Sequence, residues 1–241
     1  KQKTAYEIMP SLVGSEMCIR DRIYGGRVCR LLARPLLSLL SRHELYPGID
    51  AFKYPLSGEF AIARNLAKRL RFTNDYTIEM AMLTQLYKLI GPEAMAQVSL
   101  DVFYHIGQAW EALTRMAEQI ASYVVGELLE AGVSEDDVLT GFREAAEWRL
   151  AEDARRAAEL SQRVEDVTVN HAPEEDRKRL AEYLRIVEEL LSGKRERPRT
   201  QVFPAWAAID QATRNYVQIS RMLRRRAVQS TWTRLVEAGY V

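Results

Sequence analysis

The residues best suited to chemistry form a small polar set running from Gly26 to His105. Arg27 follows Gly25-Gly26, and a guanidinium offers a planar fork of donors matched to a phosphate or a carboxylate. The glycine beside it lets backbone amides approach such an anion; a surface arginine next to a turn is the plainer reading. Ser57-Gly58-Glu59 opens an apolar-periodic stretch. Amides at a helix start bind anions or hydroxyls, and Ser57 would serve equally as an ordinary N-cap. Glu79, close after Tyr76, is a carboxylate able to accept bonds from several sugar hydroxyls or to help stabilise an oxocarbenium-like transition state. Otherwise it is a solvated acid favouring the first turn of a helix. His105 ends an alternating stretch; imidazole and carboxylate oxygens suit Mn²⁺ or Mg²⁺ bridging a diphosphate, although a lone histidine is more often structural.

The elements that must position these groups can be read from periodicity. Val28, Leu31, Leu32, Leu36, Leu39 and Leu40 keep three- and four-residue spacing, so a helix is expected there, kinked or restarted at Pro35. His43 to Asp50, with Pro47-Gly48, is a turn. Ala51 to Leu56 is a short extended candidate, and Ser57-Gly58-Glu59 then starts a helix of about ten residues with Phe60, Ile62, Leu66 and Leu70 on its apolar side. Thr73-Asn74-Asp75 is a helix-start cluster, followed by Ile78, Met82, Leu86 and Leu89 and stopped by Gly91-Pro92. Val98, Leu100, Val102 and Tyr104 alternate with more polar residues as in a strand, which places His105 at its C-terminal end, where ligands of α/β sheets usually sit. From Trp110 onward everything reads as helix: to about Glu130, then from the capping-box-like Ser134-x-x-Asp137 to about Val164, from Pro173 to Gly193, and from Trp206 to Arg226.

GGRVCRLLARPLL, YPLSGEFA, DYTIEMAMLTQL and AMAQVSLDVFYH occur in the order and at the spacing of glucosyl-3-phosphoglycerate synthases, retaining glycosyltransferases of family 81. The chain resembles that family from about Gly25 to Ala121. The resemblance implies an α/β fold, the C-terminal part of a GT-A type nucleotide-sugar glycosyltransferase, with an appended, mostly helical region. It implies an acceptor-binding turn at Gly26, Arg27 and Cys29, holding the phosphate and carboxylate of 3-phosphoglycerate. Leu56, Ser57, Gly58 and Glu59 would form the turn under the sugar. Tyr76 and Glu79 would be catalytic, with the carboxylate beside donor sugar and acceptor. His105 would ligate a divalent ion, Mg²⁺ or Mn²⁺, together with an Asp-x-Asp motif. The activity implied is transfer of a hexose, glucose, from a UDP- or GDP-sugar to 3-phosphoglycerate with retention, yielding a compatible-solute precursor. The chain departs from the family at Cys29 (threonine), Asp75 and Thr77 (glycines), and Phe103 and Gly107 (arginine and asparagine). These departures alter the acceptor turn and the edge of the sugar pocket. A different class of function, a helical interaction or scaffold module, would leave the same polar residues as caps only.

Three segments organise the chain: 1–22, 23–131 carrying the acceptor and metal half, and 132–241 as the helical region. Tyr6 to Arg22, YEIMPSLVGSEMCIRDR, resembles a translated sequencing adapter. No Asp-x-Asp precedes Gly25 and no phosphate loop is recognisable, so the expectation is a chain without its nucleotide-binding half and inactive alone. Lys+Arg 34 against Asp+Glu 33 gives no overall electrostatic reason to expect nucleic acid or an anionic membrane as partner. Arg221 and Arg224 to Arg226, with Tyr216 and Trp232, read as an amphipathic helix that packs on neighbours or forms a homodimer surface. No apolar run reaches the roughly 20 residues that span a bilayer. Two cysteines fit a reducing cytoplasm.

Overall fold

The computed structural model describes residues 26–98, 109–163 and 172–237. A π-helical stretch, Cys29–Ala33, runs directly into α1, Arg34–Arg42. There follow the 3₁₀ turn Ile49–Ala51, α2 (Arg64–Ala67), α3 (Ile78–Ile90), α4 (Trp110–Glu130), α5 (Glu135–Arg163), α6 (Pro173–Leu191) and α7 (Trp206–Glu237). The restart expected at Pro35 is seen as a change of helix type: α1 begins at Arg34 with Pro35 in its first turn. A proline ring collides with the carbonyl four residues earlier and offers no amide. The preceding turn is widened, with the Arg34 amide bonded to the Cys29 carbonyl.

Residues from Leu31 to Leu40 are buried nearly all round, which marks this helix as the centre of the fold. Ile120, Val124 and Leu128 of α4, Phe142 of α5, and Tyr183, Ile186 and Val187 of α6 complete its surroundings in one apolar cluster. The helices after residue 132 therefore share a core with the segment that begins at Gly26. Helix α3 contributes Met80 and Leu83 to that core and turns Met82 and Leu86 toward a smaller cluster with Leu66 and Leu70.

The α/β expectation is not met among the described residues, where there is no strand, though Thr73 and Val202 form an isolated antiparallel bridge and Val98 is also a bridge residue. Among the described residues, Ala51 to Leu56 pairs with no strand: the Phe52 amide closes a 3₁₀ turn on Ile49, and the Lys53 amide donates to the Gln97 side chain at 2.8 Å. Of the second expected strand, Leu100 to His105 lies outside the described residues. The helix expected from Ser57 is confined to Arg64–Ala67. Its expected start is missing, because Ser57 and Glu59 close a local turn instead, and beyond it the carbonyls of Lys68 and Phe72 accept from Ala207 and Phe203, joining this loop to the start of α7.

Other boundaries match expectation. Ser134 Oγ accepts from the Asp137 amide at 3.1 Å and caps α5. Pro173 opens α6, and Gly91, at φ 75°, ends α3 where a side chain would be strained. Helix α7 runs past Arg226 to Glu237, with Tyr216 and Val228 exposed. None of the described helices is long and apolar enough to cross a membrane.

Candidate functional site

The expected site residues fall into two sets. In the first, the 26–29 turn lies against residues 53–59. Gly26 adopts φ 64°, and a Cβ there would sit 3.1 Å from the Tyr54 ring, so both backbone and space require glycine. Cys29 is buried, with its thiol near the Lys53 carbonyl and hydrogen-bonded to the backbone at Leu56. Burial pushes its pKa up to about 12, so the residue is a neutral, packed thiol rather than an open contact at the acceptor turn. Tyr54 is likewise pushed up to about 12, by burial and then by the neighbouring Cys29 and Glu59. Ser57 closes a local turn: its Oγ accepts from the Glu59 amide at 3.3 Å instead of capping a long helix. Leu56 and Gly58 flank it, and a side chain at Gly58 would meet open space.

The second set stands at the start of α3. Asp75 organises it, accepting from the Thr77 amide at 3.0 Å and from the Thr200 hydroxyl at 2.6 Å. Tyr76 donates its amide to Gln119 of α4 at 3.1 Å. Glu79 is half-buried in the first turn of α3, and burial raises its pKa, its own backbone amide partly offsetting this. Among the described residues, neither Tyr76 nor Glu79 hydrogen-bonds to the first set. His105, Phe103 and Gly107 lie outside the described residues, and no group of three or more His, Cys, Asp or Glu among the described ones could hold a metal ion.

The feature that sequence reasoning missed is a buried ion network behind Arg27. Arg27 donates Nε to Asp176 Oδ1 at 2.8 Å and Nη2 to Glu175 Oε2 at 2.6 Å. Arg30, one turn on, donates Nη2 to Asp176 Oδ2 at 2.9 Å and Nη1 to Asp153 of α5. Asp176 is completely buried and Arg30 nearly so. Burial alone would lower the Arg30 pKa, but Asp176 and Asp153 together hold it above the ordinary arginine value. The sequence signal was available in Pro173-Glu174-Glu175-Asp176: three acids open α6, and the third turns inward. Arg27 is therefore neither a bare surface arginine nor a vacant anion clamp.

About half of the chain matches known proteins. A curated relative from Petrotoga mobilis is 37% identical over 108 residues, covering 45% of this chain and 32% of its own length. One from Mycobacterium tuberculosis is 35% identical over 119 residues, covering 49% and 34%. Both are named glucosyl-3-phosphoglycerate synthase. The chain is similar to glucosyl-3-phosphoglycerate synthases. It spans about a third of the length of these curated relatives. A solved M. tuberculosis glucosyl-3-phosphoglycerate synthase in complex with Mn²⁺, UDP and glucosyl-3-phosphoglycerate aligns with 50% of this chain and 39% of its own, at 32% identity and a TM-score of 0.42. Another, in complex with phosphoglyceric acid, covers 51% and 40% at a TM-score of 0.43. No protein-family model matches the chain.

Two outcomes are expected from the site's electrostatics. Asp176→Ala strands Arg30 and Arg27 without their shared carboxylate and should cost about 3–5 kcal/mol in urea unfolding. Arg177→Ala, which breaks only an exposed pair with Glu174, should cost under about 1 kcal/mol. Glu79 holds its proton more tightly folded than unfolded, so its contribution to stability falls as pH rises from the ordinary carboxylate value through the raised one. Glu79→Gln should therefore gain on the parent as pH rises above the ordinary carboxylate value of about 4, and urea midpoints followed upward from there would register it.

Proposed function

We propose that this chain supplies the acceptor side of a retaining glucosyl transfer from a nucleotide-diphosphate glucose, UDP- or GDP-linked, to 3-phosphoglycerate. The observation that carries the reading is the similarity to glucosyl-3-phosphoglycerate synthases at 37% and 35% identity. The acceptor is the part this chain's own geometry speaks to. Asp176 fixes the Nε side of Arg27, which aims the rest of the fork outward. The second partner, Glu175, is 62% exposed, and pairs of that kind are worth under about 1 kcal/mol. An acceptor phosphate or carboxylate can take Glu175's place while Asp176 keeps the guanidinium aligned. Gly26 leaves the backbone beside it uncovered.

Glu79 would stand beside the sugar, its half-buried setting strengthening hydrogen bonds to hydroxyls. Tyr76 would line the same place, with Ser57, Gly58 and Glu59 forming the turn beneath. The fold reading that goes with this is the C-terminal part of a GT-A type domain, acting in a reducing cytoplasm. His105 keeps its proposed role as ligand to Mg²⁺ or Mn²⁺. The described residues add no metal set of their own, and no step here runs through the ion.

Titration of 3-phosphoglycerate into the 241-residue chain tests the reading. Saturable binding is expected, weakened about tenfold by Arg27→Lys, which keeps the charge facing Asp176 but loses the fork. Absence of 3-phosphoglycerate binding, or an affinity indifferent to Arg27→Lys, would overturn it.

A further inference from the structure

A crevice of about 430 Å³ lies between α1 and α5, and none of the residues of the site above lines it. Arg34, Ser38 and Arg42 form one wall, one helical turn apart; Glu144, Trp148 and Arg149 form the other. Three guanidinium groups thus face one carboxylate. That carboxylate is already engaged, at 3.4 Å, by Arg42, and both partners are exposed. Arg34 is different. It is half-buried, and its Nε is fully buried without a hydrogen-bond partner. Neither Arg34 nor Arg149 makes a side-chain hydrogen bond or ion pair among the described residues. The carboxylate that acts on both, Asp153, is already bonded to Arg30.

Leaving a buried cationic donor such as Arg34 Nε unpaired is costly, and an anion in the crevice would satisfy it. Burial lowers the pKa of both arginines; for Arg149 the next cause is repulsion from Arg34. Trp148 is 59% exposed, and the Arg149 guanidinium lies 4.9 Å from its ring centroid, so an indole platform adjoins the cationic floor. The volume is that of a small-metabolite site.

We propose that this crevice is a second, phosphate-recognising site: Arg34 and Arg149 bind the oxyanion of a small phosphorylated ligand, whose body rests against Trp148. The site does not depend on the glucosyl-transfer reading, because neither Arg27 nor any other residue of the acceptor turn lines the crevice.

The test uses the 241-residue chain and inorganic phosphate, comparing thermal unfolding in sodium phosphate with sodium chloride at equal ionic strength and pH. A saturable rise of about 5 °C in phosphate is expected. Arg34→Met and Arg149→Met, each read against its own midpoint in chloride, should abolish the rise, and Arg27→Lys should retain it. If Arg34→Met does not fold, Arg149→Met decides alone. Identical midpoints in the two salts, a rise that survives the crevice substitutions, or a rise lost only with Arg27→Lys would each overturn the proposal.

Discussion

One buried carboxylate holds the arrangement together. Asp176 has no solvent contact, and its two oxygens are divided between Arg27 and Arg30, while Arg30 reaches across to Asp153. Three pieces of chain meet at this point: the π-helical start of α1, α5 and α6. Such a network gains little over well-packed apolar groups, because desolvating each charge costs several kcal/mol. What it provides is register. Apolar contacts around Leu36, Phe142 and Tyr183 would tolerate sliding of one helix past another, whereas a carboxylate shared by two guanidiniums would not. The turn at Gly26 inherits its position from that register.

This constraint also changes the meaning of Arg27. From residue type alone it is a surface anion clamp; in the fold it has one fixed side and one exchangeable side. The exposed Glu175 occupies the exchangeable side, so acceptor binding becomes a substitution of one anion for another rather than the filling of a bare site. Cys29, counted with the same turn, is drawn into the interior by the packing of 53–56 and takes no part in that exchange.

Much of the helical framework was legible. The starts of α3, α5 and α6 follow from Asp75, Ser134 and Pro173, because these side chains satisfy or dispense with orphan amides locally. What failed depended on partners distant in sequence. The residues from Ala51 to Leu56 have an extended pattern but no strand beside them among the described residues. The helix after Ser57 is a local exception, shortened at its start, where Ser57 closes a tight turn on Glu59. Asp176 looked like one more acid at a helix start, and only the packing of α6 on α1 turns it inward. Of the candidate site, the Gly26–Arg27 turn and its apposition to 53–59 could be anticipated through the family resemblance. The separation of Tyr76 and Glu79 into their own contact set could not.

The central claim is that residues on either side of 131 form one cooperative core locked at Asp176, and native-state hydrogen exchange reads this directly. Amides of α1, α5 and α6 should exchange through a common global opening, with one free energy and one dependence on denaturant. If α5 and α6 opened at distinctly lower free energy while α1 stayed protected, the helices would be an independent unit and the account would be wrong.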